Sequence, residues 1–357
     1  MECESPTDAP PEVNRFVDLL ISQTSDIATA KRIRSKRFGD HLLLEFQLPG
    51  RRKEGRILGL GHSDTVWPMG TLRHMPFRSA KGRLWGPGVL DMKSGLAFFI
   101  AAVRALCKLD IPVRRKVALL VVSDEEGGSP ASRPITEREA KRSDAVLVLE
   151  PGTGLTGKLK TARKGIGHYA ISVQGKAAHA GVDFGNGASA ILEAARQIEK
   201  IAAMTNQKRG ITVNPGVISG GTRSNVVAAD ARMEIDVRVV RVRDAEAIDR
   251  KLRAIRPVDK RCTVQVEGGL NRPPMERTKA IAELFAQAQE IGAKLGLMIE
   301  ESATGGGSDG NFTAALDVPT LDGLGGVGEG AHAPNESILV NRMADRIALL
   351  AGLLSDL

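Results

Sequence analysis

At 357 residues, with 42% hydrophobic and 26% charged side chains, the chain has the composition of an ordinary globular protein and is longer than one hydrophobic core usually serves, so two domains are expected. Its formal charge of +8 comes from basic residues spread along the sequence without interleaved aromatics, which total only 3%; this argues for solvated surface and against a nucleic-acid partner, while a modest positive field suits a small anionic substrate. No stretch approaches the roughly 18 apolar residues of a membrane span, the N-terminus is acidic and proline-bearing where a signal peptide is basic and then apolar, and Cys3, Cys107 and Cys262 read as reduced thiols, so the expectation is a cytoplasmic protein with no membrane association.

Along the chain, short apolar runs at Ile57–Gly61, Val117–Val122 and Ala145–Leu149 each stop at a polar cluster. Runs of this kind predict strands buried on both faces of a largely parallel sheet. Gly95–Lys108 has helical spacing and supplies a crossover, so the first part reads as α/β. After Glu150 the pattern changes. His168–Gln174 alternates as a strand, Ala188–Ala203 is helical, Ile211–Ser219 and Arg232–Val240 alternate, Asp244–Ile255 is helical and Cys262–Glu267 alternates again. The order β-α-β-β-α-β predicts a ferredoxin-like antiparallel sheet with two helices. From about Met275 helices return, followed by a glycine-rich stretch, a short strand near Thr320 and a closing helix. The expected organisation is a catalytic domain in two parts, 1–165 and 273–357, interrupted by an inserted domain at 166–272.

Ligands of open α/β sheets bind at the carboxyl ends of the strands. Here those ends carry His62-Ser63-Asp64, Asp124-Glu125-Glu126 and Glu150; Asp91 precedes the crossover helix and His332 follows another short strand. Taken singly, each is an ordinary surface charge or helix cap. Gathered at one rim, the carboxylates would repel one another unless cations sat among them, and zinc accepts such a mixture of His and Asp/Glu ligands.

The motifs GHSDTV, GPGVLDMKSG, EEGG, LEPG, GKAAHAG, GGGSDG and GAHAPNE occur in an order and spacing that resemble the M20 metallopeptidase family, especially its glutamate carboxypeptidase branch, from about Ile57 to the end of the chain. The resemblance implies a zinc-exopeptidase-like α/β catalytic domain with an inserted α+β lid and dimerisation domain. It implies two Zn2+ per subunit, with Co2+ or Mn2+ as alternatives. His62, Asp91 and Glu150 would hold one ion, and Asp91, Glu126 and His332 the other, with Asp91 as the bridge. Glu125 matches the general base that takes a proton from the attacking water. Asp64 matches the carboxylate that orients the His62 imidazole. The commoner family sequence after the bridging aspartate has two glycines where this chain has Ser94 and Gly95.

His179, by the same resemblance, stabilises the oxyanion in the partner subunit's site, which implies a homodimer formed through the lids. Asn225 and Arg272 resemble a clamp for the substrate carboxylate, arginine being suited to a bidentate grip. Gly306, Gly307 and Ser308 correspond to a segment lining the substrate site; no Gly-Lys-Ser/Thr follows, so the glycine run is not a nucleotide loop. The expected activity is hydrolysis of an amide next to a free C-terminal carboxylate, releasing glutamate or another acidic residue from a small peptide. The alternative is deacylation of N-acyl amino acids, and the remote one a non-catalytic binding protein. Glu150 favours the first two, because aminopeptidase-like members usually carry aspartate there.

Overall fold

The computed structural model describes residues 2–357. They divide into two compact units: residues 2–162, 277–304 and 308–357 make the first, and Arg163–Glu276 with Gly305–Gly307 the second. In chain order the first unit begins with α1 (Pro10–Thr24), β1 (Ala28–Ile33), β2 (His41–Phe46), β3 (Arg56–His62), β4 (Arg78–Ala80), β5 (Arg83–Trp85), α2 (Ser94–Lys108), β6 (Lys116–Val122), α3 (Arg133–Ala140) and β7 (Ala145–Val148). There follow β8 (Leu159–Arg163), β9 (Gly165–Gln174), α4 (Ala190–Ala202), β10 (Thr212–Gly220), β11 (Asp230–Val239), α5 (Val242–Arg253) and β12 (Thr263–Arg272). The chain closes with α6 (Lys279–Lys294), β13 (Glu301–Thr304), α7 (Gly310–Ala314), β14 (Thr320–Leu321), β15 (Gly328–Glu329), β16 (Ser337–Leu339) and α8 (Met343–Asp356).

The first unit is built on a six-stranded sheet of order β1-β2-β6-β3-β7-β14. β3 runs parallel to β6 and β7, and β14 parallel to β7; β1 and β2 extend the sheet antiparallel. The three expected apolar runs become β6, β3 and β7, and their continuous hydrophobicity follows from burial on both faces. Val117, Leu119 and Val121 face one core with Phe99 of α2 and Leu349 and Leu353 of α8. Ala118, Leu120 and Val122 face the other with Leu58, Leu60 and Val146. The crossover helix α2 lies close to the strand ends because of Gly95. A Cβ there would stand 2.0 Å from the Leu149 carbonyl oxygen, so only glycine fits, whereas its neighbour Ser94 is accommodated with its hydroxyl buried.

In the second unit β9, α4, β10, β11, α5 and β12 form the anticipated β-α-β-β-α-β series, with an antiparallel sheet of order β10-β11-β9-β12. Strict alternation in β11 puts Ala231, Met233, Ile235 and Val237 into a core with Tyr169, Ile171, Ile201, Ile248 and Leu252. Ser189 caps α4 by accepting from the Leu192 amide. The sequence alternation predicts a strand ending at Glu267, before two glycines, yet β12 continues to Arg272. Gly268 keeps the pairing at φ 92°, where a Cβ would lie 2.2 Å from the His168 carbonyl oxygen. Arg272 therefore ends a strand. The opening α1, β1 and β2, and a small sheet of order β15-β16-β5-β4, complete the first unit without having been anticipated.

Candidate metal centre

His62 is the last residue of β3, Glu125 and Glu126 follow β6, and Glu150 follows β7. Parallel strands ending together thus deliver four of the expected groups to one rim. Asp91 reaches the same rim from the turn before α2, across a cis peptide to Met92. His332 reaches it from a loop in which its own φ is 61°.

The buried His62 ring has its Nδ1 2.9 Å from the backbone carbonyl oxygen of Asp64. A carbonyl only accepts, so Nδ1 carries the proton and the lone pair of the neutral ring is at Nε2. That Nε2 stands 3.3 Å from Asp91 Oδ1 and 3.7 Å from Glu150 Oε1. His332 Nε2 is 3.2 Å from Asp91 Oδ2 and 3.2 Å from Glu126 Oε1. Asp91 divides its two oxygens between the two imidazoles. Glu125 joins the set, because one ligand atom each from His62, Glu125 and Glu150 lie within 4.8 Å of one another, as do those from His62, Asp91 and Glu126.

The chemistry of this donor set fits divalent cations. His62 Nε2, Asp91 Oδ1 and Glu126 Oε1 are buried without a hydrogen-bond partner among the described residues, a condition that is costly unless something else satisfies them. Charge points the same way. Burial opposes a charged His62, but contacts to Asp64 and Asp91 and the nearby Glu125 charge hold its pKa well above the usual imidazole value. Asp91 and Glu126 push His332 up to about 10, against a smaller effect of burial. Burial would raise Asp91, yet His332 and His62 bring it far below the usual carboxylate range. These carboxylates demand positive charge at their centre.

Asp64 contacts the His62 ring most closely through its main chain. Its carboxylate Oδ1 is 3.5 Å from His62 Nδ1, farther than its own backbone carbonyl. The carboxylate instead accepts from the amides of Glu125 (3.3 Å) and Glu126 (3.2 Å) and from the Thr7 hydroxyl (2.9 Å). It braces the turn that carries both glutamates. Asp124 is structural: its Oδ2 accepts from the amides of Ala131 and Ser132. Sequence reasoning missed Thr7, which lies far from every motif and meets Asp64 only in the folded chain.

The remaining candidates lie apart from this cluster in the chain. His179 and Asn225, both exposed, are neighbours in the second unit, where the Ala180 amide donates to the Asn225 carbonyl. His179 Nδ1 accepts from the amides of Gly181 and Val182, 3.2 Å each, which places the proton of the neutral ring on Nε2. Arg272 is buried in the same unit and its Nη1 donates to Asn271. A Cβ on Gly307 would meet the Arg272 side chain at 2.9 Å. The carbonyls of Gly306 and Gly307 accept from Arg163. Ser308, in the first unit, is fully buried and donates its hydroxyl to Asp322.

Residues 58–356 match the family model described as peptidase family M20/M25/M40. Carboxypeptidase G2 of a Pseudomonas species is 30% identical over 318 residues, covering 87% of this chain and 76% of that protein. Succinyl-diaminopimelate desuccinylase of Cereibacter sphaeroides is 28% identical, covering 86% of this chain and 85% of that protein. The crystal structure of an aminopeptidase, PepT, from Bacillus cereus superposes with a TM-score of 0.83 at 23% identity, over 99% of this chain and 94% of that one, and so shares the fold. A match spanning both ends of the interrupted first unit leaves one assignment: the chain is a hydrolase belonging to the M20/M25/M40 peptidase family.

Proposed function

We propose that the protein is a two-metal hydrolase that cleaves an amide next to a free C-terminal carboxylate, releasing glutamate or another acidic residue from a small peptide. The observation that carries the two-metal reading is the division of Asp91 between His62 and His332, with Glu125 beside the same ligand atoms, while the choice of substrate is supported by the likeness to carboxypeptidase G2. His62, Asp91 and Glu150 hold one ion; Asp91, Glu126 and His332 hold the other. Zinc is proposed, with cobalt or manganese as alternatives. When bound, the ions supply Lewis acidity for the amide carbonyl and a lowered pKa for water. Glu125 takes the proton of the attacking water and passes it to the leaving nitrogen. His179 donates Nε2–H to the oxyanion from the partner subunit, in keeping with the tautomer set by the Gly181 and Val182 amides.

Arg272 and Asn225 clamp the substrate carboxylate, while Gly306, Gly307 and Ser308 belong to the segment that lines its site. The second unit serves as lid and dimerisation domain. Its edge strand β10 exposes Val217 and Ile218, and α4 exposes Ile191 and Leu192, an unprotected apolar surface of the kind a partner covers. Three unbridged cysteines suit a reducing compartment, here the cytoplasm. Deacylation of N-acyl amino acids is the second reading, favoured by the likeness to a desuccinylase.

The test is hydrolysis by zinc-reconstituted protein of dipeptides, N-acyl-glutamates, N-succinyl and N-acetyl amino acids, each as free acid and C-terminal amide, with Arg272→Ala alongside. The proposal expects acidic C-terminal residues to lead, amides to be poor, and the variant to lose roughly 2 to 4 kcal/mol in kcat/KM on free acids only. Preference for succinyl or acetyl substrates would select the deacylase reading. No turnover with both ions bound would refute hydrolysis of this class.

A further inference from the structure

The motif GAHAPNE supplies His332, but its last residue is also built into the site. Glu336 is fully buried. Its Oε1 accepts from the amides of Leu90 (2.8 Å) and Asp91 (3.0 Å), and its Oε2 from the Gly88 amide (2.9 Å) and the Trp67 indole (2.7 Å). Four donors on two oxygens saturate a carboxylate, and no other side chain of that size accepts at both ends. Three of those donors are backbone amides of the segment that presents Asp91. That segment needs the help. Gly88 sits at φ 70° and residues 89–93 form an irregular turn with non-helical angles at Asp91 and Met92, so no regular helix holds them. The loop that carries Glu336 also carries His332, which faces Asp91 Oδ2. Asp91 is therefore gripped from one loop at two points, its amide by Glu336 and its carboxylate by His332.

We propose that Glu336 is a positioning residue for Asp91, fixing the Gly88–Asp91 turn so that one carboxylate oxygen faces each imidazole. The proposal rests on the two-metal reading of the site. It predicts that Glu336 sets metal affinity and coordination geometry without touching an ion. Glutamine is not a neutral substitute here, because whichever way its amide is turned, the NH2 must face two N–H donors. Aspartate keeps the charge but withdraws the carboxylate by one methylene from all four donors.

Metal-free wild type, Glu336→Gln and Glu336→Asp would be titrated with Zn2+ against a chelator of known affinity, then loaded with Co2+ for visible absorption and steady-state kinetics. Wild type is expected to take up two ions. Either variant that folds should bind the more weakly held ion on the order of 10- to 100-fold less tightly, as for other groups that orient a ligand. It should show an altered Co2+ spectrum, and at saturating metal its kcat should fall more than its KM changes. Wild-type affinity and spectrum in the folded variant, even with a lowered melting temperature, would overturn the proposal and leave the two-metal reading standing. Fewer than two ions in wild type would refute that reading, and the proposal with it.

Discussion

At the scale of single residues, the proposed division of labour between Glu125 and Glu126 is the feature most open to measurement. They are adjacent and both have their amides tied to Asp64; Glu126 pairs with His332, and Glu125 lies in the cluster with His62 and Glu150. Glu125→Gln removes a proton acceptor and keeps the shape, so both ions should be retained while kcat falls about 100-fold or more. Metal analysis together with turnover checks this, and full metal content with near-normal kcat would remove Glu125 from its role. His62, Glu125, Glu126 and Glu150 could be read from the sequence because each stands at the end of an apolar run, where a parallel sheet exposes it at the rim, whereas Asp91 and His332 stood out through their motifs. Thr7 and Glu336 could not be read so, since their partners Asp64 and Asp91 lie 57 and 245 residues away and the contacts exist only once the sheet has formed.

Elements carry the site through close approaches that a substitution can probe. Gly95 lets α2 start against the end of β7, and Gly95→Ala would force a methyl group to 2.0 Å from the Leu149 carbonyl. Backbone cannot yield like a side chain, so a loss of about 1 to 3 kcal/mol is expected, read as a lower melting temperature, with weaker Zn2+ binding because Asp91 and Glu150 flank the contact. A melting temperature equal to wild type would mean the helix is held elsewhere. In the second unit, α4 is tied to the segment before β12 by buried Glu193, which accepts from the amides of Val258 and Asp259 and from Gln197. Burial raises the pKa of Glu193, but these donors more than offset it and leave the carboxyl below its usual 4.5. A depressed carboxyl stabilises the fold fully above that value, and the contribution is lost as pH falls through the folded pKa. Acid unfolding monitored by circular dichroism should therefore be shallower below about pH 4.5 in Glu193→Gln than in wild type, and identical slopes would assign the acid sensitivity to other groups. Strands and helices with strong periodicity were legible from Ile57 to Glu267; β12 past Glu267 was not, because a glycine pair that usually stops a strand here continues one at a positive φ.

For the whole molecule, the alternation of β-α-β-β-α-β after an α/β opening was readable because the hydrophobic period itself switches from continuous runs to strict alternation. The first 55 residues were opaque in the same terms, since α1, β1 and β2 carry no chemistry-bearing motif to anchor them. Assembly is the property that periodicity leaves open, and the proposed use of His179 across a dimer makes it measurable. Glu125→Gln and His179→Ala should each be nearly inactive alone. If subunits exchange freely, half of the dimers become mixed, and in each of these one site joins an intact Glu125 to an intact His179 from the neighbouring chain. About a quarter of wild-type activity should then return, by the statistics of a two-fold dimer. Recovery should grow with the time course of exchange, followed independently with differently tagged subunits, and metal content should stay constant throughout because His179 acts on the transition state and not on the ions. Complete exchange with no recovered turnover would place the action of His179 within its own chain or remove it from catalysis, and the exposed apolar strip of β10 and α4 would then need another partner.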